Sequence, residues 1–146
     1  MALSTEAVGK SWPSVSYEVG KEKVGEYARV LGFESPIHFD TEAARAEGFR
    51  DVVAPPMFCV VYSAGAMGPV IFDPEVAMNF ATMVHGSQEF EWGVPVCSGD
   101  VISTTSSCLS IEERDGKGFY VFETVSVNQD GDQAVRGVWT NIVRGV

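Results

Sequence analysis

Positive charge is scarce in this chain. Its 146 residues carry 10 Lys and Arg against 20 Asp and Glu, a formal net charge of −10. Gripping nucleic acid takes a concentrated basic face, so the charge argues against that class of partner. It suits anionic membranes no better, and solubility is its simplest meaning. Cysteine is also sparse. Cys59, Cys97 and Cys108 are odd in number and lack CxxC spacing, which suggests neither a disulfide framework nor a zinc site. Only two histidines are present, His38 and His85, without clustered Cys or carboxylate ligands. No metal and no organic cofactor is expected. The longest uncharged stretch, Val52–Phe72, is broken by Pro55, Pro56, Gly65, Gly68 and Pro69. That leaves about three uninterrupted helical turns, against the roughly 20 residues of a membrane span. Residues 1–11 hold no apolar run of signal-peptide length, and a cytoplasmic setting is the expectation. With no repeat, low-complexity segment or linker, residues 1–146 are expected to form one domain, long enough to bury a core.

The uncharged stretch is also what the rest of the chain is organised around. Pro55 and Pro56 sit where a helix can begin, because the first helical N–H groups have no intrahelical partner anyway. From Met57 to about Met67 the residues are large and apolar or small, so the predicted helix is apolar nearly all round and belongs inside. Ahead of it, an arm over residues 1–16 leads into a short strand anchored by Trp12 and Val15. Val19–Leu31 has helical spacing with Gly32 as its stop. Residues 33–40 are a loop, and Thr41 reads as the N-cap of a short helix ending at Gly48. Beyond a turn at Asp73–Pro74 the composition turns to β. Thr82–Trp92 alternates loosely, Val101–Ile111 is rich in Thr, Ser, Ile and Val, Phe119–Val127 alternates, and Ala134–Val143 is the last strand. Asp115–Gly118 and Asn128–Asp132 read as hairpin turns. A sheet of this length needs a cover, and the central helix is a natural one. The expectation is an α+β fold with an antiparallel sheet wrapped around the helix, although composition alone also permits a generic α+β sandwich.

Taken alone, a loop histidine such as His38 is more often structural than catalytic, and His85 has no partner in sequence to distinguish it. The surrounding motifs change the weighting of His38. The run GFESPIHFDTEAARAEGF followed by DVVAPPMF, then Gln88–Trp92, then Pro95-Val96-Cys97-Ser98-Gly99-Asp100, resembles the MaoC-like hydratase/dehydratase family. The resemblance is closest to the N-terminal dehydratase-type branch, which includes actinobacterial hydroxyacyl-thioester dehydratase subunits, and it covers nearly the whole chain. The opening Tyr17–Lys23 fits that branch as well. The family motif has the form Asp-x-Asn-Pro-aliphatic-His-x-Asp. Pro36, Ile37, His38 and Asp40 match it, Ser35 stands where Asn is usual, and Phe33 stands where the catalytic Asp is usual.

The resemblance implies a hot-dog fold and (R)-specific, reversible addition of water across a trans-2-enoyl thioester of CoA or acyl carrier protein, in fatty-acid metabolism. It implies no cofactor, and pairing with an identical or a different hot-dog chain. The family's His and Asp hold and activate water, a task for which Phe33 has neither a proton nor a lone pair. His38 remains the candidate acid/base group, since histidine exchanges protons near neutral pH. Glu34, adjacent and longer, is the candidate substitute carboxylate, and Asp40 is expected to brace the following helix. The start of the central helix offers the N–H groups of Met57 and Phe58 to a thioester oxygen. Ser35, Met57, Phe58 and Tyr62 are the candidate substrate-binding residues, with Val61 and Met83 as further acyl-tunnel candidates. A second reading follows from Phe33: a non-catalytic, acyl-binding subunit of a heteromeric dehydratase. A hot-dog thioesterase ranks below both, because the central helix contains no carboxylate to activate water.

Overall fold

A computed structural model describes residues 3–146. Five strands form one antiparallel sheet: β1 (Val15–Glu18), β2 (Met83–Trp92), β3 (Val101–Arg114), β4 (Lys117–Val127) and β5 (Gln133–Arg144), in the spatial order β1-β3-β4-β5-β2. The β3–β4 hairpin turns on Asp115 and Gly116, both at positive φ (52° and 69°). A two-residue turn with both central residues in the left-handed region matches the twist of the flanking strands. In the β4–β5 connection the Asn128 carboxamide oxygen accepts from the N–H groups of Asp130 and Asp132, each at 3.0 Å.

Residues 56–71 lie against the sheet and give the hot-dog architecture. This helical stretch differs from the predicted continuous helix in two ways. It alternates between 3-10 and α geometry, with 3-10 turns at Pro56–Phe58 and Ala64–Ala66 and α segments α3 (Cys59–Ser63) and α4 (Met67–Ile71). It also continues past Gly68–Pro69 rather than stopping near Met67. Pro69 explains both. Its ring opposes the carbonyl four residues back, that of Gly65, where the 3-10 turn lies, and it falls among the first residues of α4, whose N–H groups need no partner. The Ser63 hydroxyl also donates to the Cys59 carbonyl at 2.5 Å, a side-chain bond that competes with the helical ladder.

Two apolar clusters join helix and sheet. Phe58, Cys59 and Tyr62 pack with Val24, Ile102 and Val135 at one end, and Met67 and Val70 pack with Trp12, Tyr120 and Phe122 at the other. The covered face of β4 is Tyr120, Phe122, Thr124 and Ser126. Its Ser126 and Thr124 hydroxyls are matched: Thr104 Oγ1 and Ser126 Oγ lie 2.7 Å apart, and the Trp139 indole N–H donates to Thr124 Oγ1 at 2.8 Å. Pairing of this kind offsets the desolvation of polar groups on a buried face.

Two helices precede the central stretch. α1 (Lys21–Val30) buries Val24, Gly25 and Ala28, and α2 (Thr41–Ala46) follows the His38 loop. The N-cap of α2 is Asp40 rather than Thr41: its carboxylate accepts the Glu42 N–H at 2.9 Å, leaving the Thr41 hydroxyl to donate to Asp51 at 2.7 Å. Among the described residues, no helix is long and apolar enough to cross a membrane.

Candidate functional site

The His38 loop is fixed by its backbone. Pro36 restricts Ser35 to an extended conformation (ψ 129°), and Pro36–His38 then makes one 3-10 turn. Beside it, residues 52–54 run as an extended strip. Their far side is paired with residues 96–98, through the Ala54 N–H to the Val96 carbonyl (2.8 Å) and the Ser98 N–H to the Val52 carbonyl (2.9 Å). Their near side holds the loop at two points: the Val53 N–H donates to the Ile37 carbonyl at 2.9 Å, and His38 Nδ1 lies 2.6 Å from the Val53 carbonyl. A carbonyl only accepts, so Nδ1 carries the proton, and in the neutral ring Nε2 is the acceptor. The turn behind the strip is braced by buried Asp100. It accepts the Cys97 N–H and the Gln129 carboxamide at 2.9 and 3.0 Å, and pairs with Arg50.

His38 is 7% exposed and faces a cavity of about 320 Å³. Its walls include Val53, Cys59, Tyr62, Trp92, Val96 and Ala134. Trp92, at the end of β2, is latched to the start of the helical stretch by its indole N–H, which donates to the Pro56 carbonyl at 2.9 Å. The cavity is almost wholly apolar. Its side chains with polar atoms are His38, Tyr62, Cys59 and Trp92, whose indole N–H is spent on Pro56, and no carboxylate lines it. Burial pushes the Cys59 thiol up to about 11, so it stays protonated at neutral pH and is a poor nucleophile. Burial raises the Tyr62 phenol as well, with a smaller contribution from nearby Cys59. The His38 ring is flanked edge-on by Phe33 at 5.2 Å and by Phe39 at 6.3 Å, centroid to centroid.

Of the residues singled out from sequence, the structure brings His38 and Tyr62 to the cavity and leaves the others off its lining. Glu34 is exposed and makes no hydrogen bond or ion pair among the described residues. It follows Phe33, and it is the Phe33 ring that turns toward the histidine. Ser35 borders a separate shallow groove with Pro36 and Ala43. The Met57 side chain is 44% exposed. Phe58 is fully buried, its ring edge-on to Tyr17 and Tyr27 at 6.3 and 5.4 Å. The expected pair of N–H donors at the helix start is also reduced, because the 3-10 turn spends the Phe58 N–H on the Pro55 carbonyl at 2.8 Å. Val61 and Met83 are partly buried elsewhere, and exposed His85 packs edge-on to Trp139 at 5.9 Å. Sequence reasoning missed Trp92 and the Val53 carbonyl. An aromatic closing a strand just before Gly93-Val94-Pro95 was a usable signal for Trp92. A backbone carbonyl leaves none.

Comparison with known proteins gives a consistent result. Residues 6–136 match the family model described as the FAS1-like dehydratase domain region. A UPF0336 protein of Streptomyces coelicolor is 37% identical over 144 residues, spanning 98% of this chain and 95% of that protein. A UPF0336 protein of Clavibacter michiganensis is 36% identical over 146 residues, spanning 99% and 98%. Among solved structures, the C-terminally truncated HadBC complex of Mycobacterium tuberculosis, a 3R-hydroxyacyl-ACP dehydratase, superposes with a TM-score of 0.81 at 27% identity, over 96% of this chain and 99% of that one. The R-hydratase PhaJ1 of Pseudomonas aeruginosa shares the fold, with a TM-score of 0.74 at 19% identity, over 99% and 88%.

Proposed function

Because this chain belongs to the FAS1-like dehydratase-region family and has the MaoC-like hot-dog fold, we propose that it is the acyl-binding member of an enoyl-thioester hydratase / 3-hydroxyacyl-thioester dehydratase. It receives the acyl group of a CoA or acyl-carrier-protein thioester in the His38 cavity and acts together with a second hot-dog chain that supplies the carboxylate. The observation that carries this reading is the Phe33 ring standing 5.2 Å from His38 while no carboxylate lines the cavity. Adding water to an enoyl thioester requires a group to take a proton and a group to orient the water, and this cavity holds only the first. The same gap disfavours a thioesterase.

Pairing has a natural place. β2 lies at the edge of the sheet, its outer row of backbone groups unpaired among the described residues, and its last residue, Trp92, is part of the cavity wall. A chain added along β2 would extend the sheet and border the cavity. HadBC is itself a complex of two chains, which supports a heteromeric arrangement here.

A second reading, a hydro-lyase active alone with His38 as its acid/base group, is favoured by the imidazole tether, which leaves Nε2 as an acceptor in the cavity. One assay separates the two. Hydration of crotonyl-CoA by the purified chain, followed at the enoyl-thioester absorbance and repeated with a longer enoyl chain, is expected to stay at the level of the His38→Ala variant, while acyl-CoA binding is retained. Turnover that disappears with His38→Ala would replace the first reading with the second.

A further inference from the structure

The Tyr62 side chain carries a hydroxyl in the wall of the cavity. It is 3% exposed and lines the cavity beside His38. The Ser106, Thr124 and Ser126 hydroxyls are each matched by a neighbour, whereas no partner is found for the Tyr62 hydroxyl among the described residues. Nor is that hydroxyl sealed in protein: Gln88 Oε1 is the only fully enclosed side-chain polar atom left unpartnered among them. The Tyr62 oxygen is therefore not sealed, and the open space that Tyr62 borders is this cavity. Burial keeps the phenol protonated, so it enters the cavity as a hydrogen-bond donor. His38 Nε2 enters the same cavity as an acceptor, because Nδ1 is committed to the Val53 carbonyl.

An apolar cavity with one donor and one acceptor fits an apolar chain that carries a group able to satisfy both. A hydroxyl does: it donates to Nε2 and accepts from the phenol. A ketone oxygen satisfies only the phenol, and a saturated chain satisfies neither. We infer that Tyr62 is a specificity-determining residue, selecting acyl thioesters hydroxylated at carbon 3 over saturated ones by donating a hydrogen bond to the 3-oxygen while His38 accepts one from it. This rests on the acyl-binding reading above and adds to it a ligand preference and the residue that sets it. The group left unpaired when a ligand lacks the oxygen is what produces the discrimination.

The test is calorimetric binding of three ligands, hexanoyl-CoA, 3-oxohexanoyl-CoA and racemic 3-hydroxyhexanoyl-CoA, to the wild-type chain and to Tyr62→Phe. The substitution keeps the ring that packs against Phe58 at 6.2 Å, and a cooperative melt checks the fold. The wild type is expected to prefer the 3-hydroxy ligand over hexanoyl-CoA by on the order of tenfold, with the 3-oxo ligand between them. In Tyr62→Phe the hydroxy preference falls about fivefold and the 3-oxo advantage disappears, and hexanoyl-CoA binds no more weakly than before, because no phenol is left unpaired beside it. A purely structural role for Tyr62 would weaken all three ligands together and leave their ratios intact. Equal wild-type affinities, or ratios unmoved by the substitution, overturn the inference and leave the acyl-binding reading standing. Failure of all three ligands to bind the wild type overturns both. If Tyr62→Phe does not fold, the ranking of the three ligands on the wild type decides, since each removes one hydrogen bond from the last.

Discussion

Phe33 decides more about this chain than any other single residue. Its ring is 40% exposed, so a carboxylate in its place would remain solvated and would incur little desolvation cost. Phe33→Asp should place an acceptor beside His38 and raise crotonyl-CoA hydration above the wild-type rate by roughly 10²-fold, the lower end of what a positioned acid–base group contributes. The same absorbance assay measures it, and an unchanged rate would show that the missing carboxylate belongs elsewhere. Much at this scale was legible in sequence. His38 stood out by its motif and Phe33 by departing from it, and Asp40 was expected to brace α2, which its bond to the Glu42 N–H does. What could not be read was direction. Glu34 and Phe33 are neighbours with opposite fates, and Met57 and Phe58 are neighbours of which one is half in solvent and one fully buried. Nothing in a residue's identity states which way a loop or a 3-10 turn will aim it.

Among the elements, the strands were the most legible and the central helix the least. Strand periodicity and turn residues are local signals, so β3, β4 and β5 and their hairpins follow from composition. The break at Ala64–Ala66 depends on a proline ring meeting a carbonyl four residues earlier, and an apolar run shows only that it is buried. The join between β2 and β5 is as demanding in another way. At Gly93, just beyond β2, a Cβ would lie 2.0 Å from the Gln133 carbonyl oxygen, in a segment where the Gly93 N–H also donates to the Ala134 carbonyl at 2.9 Å. Backbone cannot step aside as a side chain can. Gly93→Ala is expected to destabilise the fold by about 1–3 kcal/mol, read as a lower urea midpoint at constant slope. Gly65→Ala, where a Cβ meets nothing within 4 Å, should be neutral or slightly stabilising and serves as the control.

For the molecule as a whole, the acidic balance leaves few cations to tie distant parts together, and Lys10 is one of them. The arm bearing Lys10 and Trp12 runs beside β3, and its side chains reach the turn that ends the helical stretch. Lys10 Nζ lies 2.8 Å from Asp73, and the Trp12 indole N–H donates to Asp73 at 2.7 Å. Bonds from Lys10, the Glu75 N–H and Trp12 hold the Asp73 carboxyl down to about 2, against 3.8 for a free side chain. A carboxyl depressed on folding contributes stability above its unfolded pKa and loses it as pH falls through the folded one. Acid loosening of the arm should therefore fall between about pH 4 and pH 2, seen as a change in Trp12 fluorescence ahead of the loss of the sheet's circular dichroism. Asp73→Asn should show the loosened arm already at neutral pH and a flat response across that window.

The bond between His38 Nδ1 and the Val53 carbonyl makes the imidazole a cul-de-sac for protons rather than a wire. A proton accepted at Nε2 has no exit on the far side, because the carbonyl there only holds the hydrogen it already has. Whatever enters through the cavity leaves through the cavity. Isotope from solvent can reach a bound acyl group by this route only when the cavity admits water, so label exchange into the ligand would time the entry of water to the site.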